Sequence, residues 1–215
     1  MRLAELSERS GVPTATIKYY LRERLLPAGR RITATRSGYD EEHLRRLRLV
    51  RALIQVGRIP VSTAREVLAA VEDDSLDQLA RLGVAVEALP HGPEPDERSP
   101  STAVARRTAA ELLRRCGRHV TLELADGPRA FGMLVAAIAA LHRLGHACDT
   151  AHLLPHAQQA AQLAVVDLDL VEEFATPAEQ VAAAVALTVL YEPVLLSLRR
   201  LAEAEASNRR YGSGS

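Results

Sequence analysis

Two short amphipathic stretches split by a glycine turn open this 215-residue chain, and they constrain its fold more than anything that follows. Ala4–Ser10 reads as a short helix with Leu3 and Leu6 on its inner side. Gly11 supplies the permissive backbone that a helix end needs. Pro13 and Thr14 then open a second helix that runs to about Arg24, because proline is tolerated in a first turn, where its missing N–H has no helical partner. A helix, a tight turn with glycine and a second helix form the outline of a helix-turn-helix.

Pro27 ends that region. Ala28–Gly38 is polar, flanked by glycine and long enough for a small β-hairpin, or wing, carrying Arg30, Arg31 and Arg36. Asp40 caps a periodic helix over about 41–56, with Leu44, Leu47, Leu49, Val50 and Leu53 as its apolar side and Arg45, Arg46, Arg48 and Arg51 over much of the rest. Gly57-Arg58-Ile59-Pro60 is a tight break, after which helices are expected over 62–71, with Ser62 as its cap, and 76–88. Pro90–Pro100 holds four prolines and Gly92 among charges and reads as a linker. Beyond it, 101–118, 128–144, 150–172 and 177–207 show helical spacing, while Thr121–Leu124 alternates only until Asp126-Gly127-Pro128 stops it, as a loop would.

Hydrophobic residues make up 47% of the chain and aromatics only 3%, so the core is built from Leu, Ala and Val, which favours helices. The expected fold is mainly α: a winged helix-turn-helix domain over 1–72, a connecting helix and linker over 73–100, a helical bundle over 101–210 for effector binding or dimerisation, and a disordered tail over 211–215.

The formal net charge is zero, but it is unevenly laid out. Residues 1–70 hold 14 Lys/Arg against 7 Asp/Glu, leaving 13 against 20 for the remainder. A basic first third suits a polyanion, although an uneven solvated surface gives the same count. A helix entering the major groove needs short polar groups at its N-terminal end, and Thr14 and Thr16 meet that need. Lys18 and Arg22, four residues apart, share a face and can neutralise phosphates. Of Tyr19 and Tyr20, one is expected on a phosphate and the other beneath the wing. Arg30, Arg31 and Arg36 of the wing can straddle the backbone or enter the minor groove, with Arg58 acting from the other side.

These blocks resemble the MerR family of bacterial transcription regulators. The resemblance covers residues 3–71 and rests on Leu3-Ala4-Glu5-Leu6, Ser10-Gly11-Val12, Thr16-Ile17-Lys18-Tyr19-Tyr20, Leu25-Leu26-Pro27, Tyr39-Asp40-Glu41-Glu42-His43-Leu44 and Leu47-Leu49-Val50-Arg51-Ala52-Leu53. It implies a four-helix module with two wings, used as a homodimer on a pseudo-palindromic promoter site. It also implies DNA contacts from Lys18 and Tyr19, and promoter distortion that lets RNA polymerase engage. In the first wing Tyr39 matches the family's final tyrosine, but Ser37 stands where the family has arginine, with Arg36 beside it. The family's long dimerisation helix directly after the module is short here, so the helix 177–207 becomes a candidate interface, with Val181, Ala184, Val185, Leu187, Thr188, Tyr191, Leu195, Leu198 and Leu201 at core-like spacing.

The remainder of the chain leaves three readings open. Apolar helices can enclose a small-molecule effector, with Phe131, Met133, Phe174, Tyr191 and Glu192 as candidate lining against the reading of ordinary core. His142, His146, Cys148, His152 and His156, with Cys116 and His119 able to approach, are a candidate metal or redox sensor, although Gly145 and Pro155 are expected to break that segment. The third reading is a bundle that only dimerises or docks a partner. A DNA-architectural, excisionase-like protein is the alternative to a regulator, and the large second part argues against it. An enzyme is not expected, since no phosphate-binding glycine loop, Gly-x-Ser-x-Gly or His-Glu-x-x-His stands in the chain, and no cofactor is expected either. With two cysteines, no signal-peptide pattern and no uninterrupted apolar run of roughly 18–20 residues, the chain reads as cytoplasmic, without a membrane partner.

Overall fold

The computed structural model describes residues 1–33, 36–90, 92–117, 129–146 and 148–212. The loop expected over 121–128, the tip of the wing at 34 and 35, His119 and the last three residues of the tail lie outside the described residues. The chain divides into two compact units, one of Met1–Leu89 with Glu173–Ser215 and one of Pro90–Glu172.

In the first unit, α1 (Leu3–Ser10) ends at Gly11, whose φ of 65° is the left-handed cap that the turn requires. α2 (Thr14–Arg22) follows with Ile17 and Tyr20 turned inward. β1 (Arg30–Thr33) and β2 (Arg36–Gly38) pair antiparallel, Arg30 opposite Gly38 and Arg31 opposite Ser37, with a register irregularity before Thr33 pairs with Arg36. Gly29 lets the hairpin close on the next element: a Cβ there would stand 2.7 Å from the Gly38 carbonyl and 2.9 Å from the Tyr39 ring. α3 (Glu41–Arg51) starts at Asp40, which accepts the His43 backbone N–H at 3.1 Å and meets His43 Nδ1 at 2.6 Å. These contacts hold the Asp40 carboxyl below the usual carboxylate range, the His43 side-chain hydrogen bond being the main cause.

α3 does not continue as an α-helix to 56. Ala52–Val56 forms a π-helical turn. α4 (Val61–Val71) follows Pro60, whose side chain makes no cap bond, so the expected cap at Ser62 falls inside the helix. α5 (Gln78–Glu87) is capped by Asp77, which accepts the Ala80 N–H at 2.8 Å.

Arg46 is a structural cation rather than part of a solvated face. It is 9% exposed at the side chain, donates from Nε to the Leu25 carbonyl at 2.9 Å and pairs with Glu72 at 2.6 Å. It thereby ties the chain leaving α2 to the end of α4. A buried arginine with both partners in place is retained because losing either would strand a charge.

The second unit contains α6 (Pro100–Arg115), α7 (Arg129–Arg143) and α8 (Thr150–Glu172). α6 packs on α7 and α8 around Ala105, Ala109, Val135, Ile138, Ala139 and Cys148. Small alanines let these helices approach closely but bury little area each. Pro155 was expected to break its segment and does not: α8 runs through it.

The last helix, α9 (Pro177–Tyr211), corrects the expected division of the chain. Instead of completing a bundle over 101–210, it packs on α4, α5 and the π-turn of the first unit. Val181, Val185 and Val189 join Leu53, Val67, Leu68, Ala85 and Leu89 in one core. The apolar sides of α4 and α5 need cover, and the chain supplies it from about a hundred residues downstream, which helical periodicity cannot reveal. By length and composition α9 is also the one described helix long and apolar enough to cross a membrane, but its first half lies in this core.

Candidate nucleic-acid interface

α2 presents two contrasting faces. Ile17 is fully buried and Tyr20 is 4% exposed, so the helix is held by its inner side. Thr14, Ala15, Lys18, Tyr19 and Arg22 are exposed, and Thr16 is half-buried. Spacings of three and four residues put the exposed positions in one stripe. The Arg22 guanidinium lies 5.2 Å from the Tyr19 ring centre and 3.6 Å from Glu23 Oε1. Of the tyrosine pair, Tyr19 is therefore the one free to meet a partner. Tyr20 is core, and burial raises its phenol above the ordinary range. Tyr39 is likewise buried: its ring stands edge-on to His43 at 5.2 Å, and its backbone N–H donates to the Met1 carbonyl at 2.9 Å. Both rings are buried, Tyr20 at 4% and Tyr39 at 8% exposure, so both build the platform on which the exposed stripe of α2 stands.

On the hairpin, Arg30, Arg31, Ile32 and Thr33 are all exposed. Arg58 is exposed too, with a φ of 53°. A left-handed backbone at a non-glycine residue costs about 1–2 kcal/mol and persists only where the surroundings enforce it. Arg24 has the same peculiarity, a φ of 59°, in the turn that closes α2. Sequence reasoning assigned Arg24 no role, and its signal was only an arginine at a position where helices commonly end in glycine.

Ion pairing distinguishes several cations of this unit. Arg9 pairs with Glu41, Arg46 with Glu72, Arg65 with Glu23, Arg81 with Asp74 and Arg45 with Glu179. Lys18, Arg24, Arg30, Arg31 and Arg58 have no ion pair among the described residues. These five stand on α2, the turn closing it, the hairpin and the turn before α4, while Arg2, Arg48, Arg51, Arg200 and Arg210 also lack an ion pair among the described residues. Arg65 also donates from Nε to the Glu23 carbonyl at 2.9 Å, tying α4, and with it the turn bearing Arg58, to the end of α2.

The model for MerR helix-turn-helix regulatory proteins matches residues 1–71. The crystal structure of SCO5550 from Streptomyces coelicolor A3(2), a protein named as a transcriptional regulator, is 50% identical, covers the whole of both chains and superposes with a TM-score of 0.83. The chain belongs to the MerR family. No curated protein matches it. The mainly α fold with a small hairpin wing is the one expected, and this MerR-family protein is a DNA-binding transcription regulator.

The other candidate residues divide between the two units. Phe131 and Met133 lie on α7 of the second unit, whereas Phe174, Tyr191 and Glu192 belong to the first. Phe131 is half-buried with the Arg106 guanidinium 5.9 Å from its ring centre, and Met133 is 40% exposed beside Gly92. For the metal reading, no three His, Cys, Asp or Glu side chains come together among the described residues. His142 ends α7, His146 is exposed, and Cys148 is buried, which pushes its thiol up. His152 and His156 do share α8, but His152 meets Asp149 at 2.7 Å at the helix start. A helix end, the left-handed Gly145 and a helix start part the histidines that lie close in sequence.

Proposed function

We propose that this regulator binds one specific double-stranded promoter site as a homodimer, reading bases with the exposed stripe of α2 and gripping phosphates with the exposed cations on and around it. The observation that carries this is the grouping of exposed cations: Lys18 and Arg22 on the outer stripe of α2, Arg24 in the turn closing it, Arg30 and Arg31 on the hairpin and Arg58 in the turn before α4. Thr14, Thr16 and Tyr19 face base edges or phosphates, Lys18 and Arg22 the backbone, Arg30, Arg31 and Arg36 the flanking groove, and Arg58 the phosphates beyond the other side. RNA polymerase is an indirect partner through the promoter, and the work is done in the cytoplasm.

Dimerisation belongs to the second half of α9. From Glu192 to Tyr211 every residue but Ala206 is exposed, Val194 at 44%, Leu198 at 57% and Leu201 at 67%. Leu187, Tyr191, Val194, Leu198 and Leu201 alternate at spacings of four and three, the seam of a coiled coil. A lone helix of that length is marginal in water, so a second copy suits the seam. Two-fold symmetry then matches a pseudo-palindromic site. The second unit, with its small alanine-rich core and the exposed Met133, Leu141 and Leu144, is the part available for an apolar effector.

Selection of bound sequences from a random duplex library with the full chain tests the proposal. An inverted-repeat motif is expected. Recovery of sequences without any shared motif would overturn the specific-regulator reading in favour of architectural binding.

A further inference from the structure

The two helices α2 and α3 end differently, and the difference isolates a control point. α2 closes in the usual six-residue manner: Leu25 N–H donates to the Tyr20 carbonyl at 2.9 Å and Arg24 N–H to Leu21 at 3.2 Å, with Arg24 left-handed between them. At the end of α3 the closure is one residue wider. Gly57 N–H donates to the Ala52 carbonyl at 2.9 Å, and Ile59 N–H to Leu53 at 3.0 Å. The ordinary closure on Leu53 would make Gly57 the left-handed residue, the place glycine favours. In the wider closure Gly57 is right-handed, φ −72° and ψ −13°, and the left-handed place falls on Arg58.

Glycine adopts either hand about equally, and α9 lies against this turn. A Cβ at Gly57 would overlap Cγ1 of Val189, which is 8% exposed. The backbone of Gly57 is therefore pressed directly against that side chain. Nearby, Gln78 donates to Gln180 at 2.5 Å and Arg45 reaches Glu179 at 3.8 Å, fixing the start of the same helix.

We infer that Val189 is a positioning residue for DNA binding: seated on Gly57, it holds the end of α3 in the wider register and so aims Arg58 at the phosphates. When α9 withdraws, the turn reverts to the ordinary register, Gly57 becomes the left-handed cap and Arg58 turns away. A shift of one residue in a helical register is a rotation of about 100°, enough to remove a guanidinium from a phosphate. The end of α3 is thus a two-state element biased by the helix whose far half carries the dimer seam. The inference rests on Arg58 being a DNA contact.

The test uses the full chain, the duplex enriched from the random library, and the variants Arg58→Ala, Val189→Ala, Val189→Thr and the Arg58→Ala/Val189→Ala double. Affinity is measured across a salt series, and Gly57 and Arg58 carbon shifts are read on DNA-free protein labelled at glycine and arginine. Arg58→Ala should weaken binding about tenfold and lower the salt slope by about one unit. Val189→Ala should lower the slope equally, move the Gly57 shifts to left-handed values, and add nothing in the double variant. Val189→Thr, which keeps the branched shape, should behave as the parent chain. Additive losses, or Gly57 shifts unmoved by Val189→Ala, overturn the proposal. An unchanged slope in Arg58→Ala removes Arg58 from the contacts and with it the DNA half of the inference, while the Gly57 shifts still decide whether Val189 sets the register. If Val189→Ala melts below the assay temperature, the milder Val189→Cys carries the same readouts.

Discussion

The two halves of α9 both carry an apolar stripe and stand in opposite circumstances, the second half also holding six charged residues between Leu195 and Tyr211. Val181, Val185 and Val189 are 1%, 0% and 8% exposed, whereas Val194, Leu198 and Leu201, on the same helix, are 44–67% exposed. One apolar periodicity serves two ends: the first half finishes a core within the chain, and the second is left for a surface outside it. An apolar stripe states that something must cover it and says nothing about whether the cover is intramolecular.

The sharpest way to break this comparison is a charge in each half. Val185→Asp places a carboxylate in a closed core with no partner, and should cost about 4 kcal/mol of stability or prevent folding altogether. Thermal and denaturant unfolding measure it, and a loss under 1 kcal/mol would show that the first half of α9 is not core. Leu198→Glu with Leu201→Glu should leave the melting temperature of the first unit nearly unchanged yet yield a monomer in light scattering. Affinity for an inverted-repeat duplex should then fall on the order of 100-fold, because the second half-site is no longer bound in the same event. A double variant that stays dimeric would move the interface off this helix.

Smaller effects sharpen the contrast by leaving both halves of α9 alone. Lys18→Ala should weaken DNA binding severalfold and lower the salt slope by about one unit, with unfolding and oligomeric state as in the parent. An unaltered slope would take Lys18 off the list of phosphate contacts. The smallest effect is acid sensitivity at the start of α3. Asp40 has its folded pKa depressed by His43, so its contribution to stability is present above the ordinary carboxylate range and is lost as pH falls through that range. Thermal melts from pH 7 to pH 3 should show Asp40→Asn losing less stability on acidification than the parent. Parallel curves would show that the cap does not report on pH.

Much of the interface was legible from residues alone, because local rules govern it. Gly11 at a helix end, Asp40 before α3 and the outward Thr14, Lys18 and Arg22 follow from cap chemistry and helical spacing over a few residues. The rest shares one cause. Which of Tyr19 and Tyr20 turns inward is decided by neighbours distant in sequence, which enclose Tyr20 and likewise Tyr39. Arg46 looked like one more surface cation until Leu25 and Glu72 closed on it. Pro155 reads as a breaker, yet α8 runs through it, giving up only the bond that its missing N–H would make. The histidine cluster is close in sequence but divided by a turn.

The sequence by itself determined the class of this protein: helical periodicity, a glycine turn at the right place, an arginine-rich hairpin and a basic first third are local or additive properties that no packing can reverse. Only the tertiary structure decided that α9 returns to the DNA-binding unit, that Gly57 meets Val189, and that the left-handed residue is Arg58 instead of its glycine neighbour. Those outcomes depend on close packing between segments more than a hundred residues apart, where a single methyl group selects the register and no pattern along the chain records the encounter.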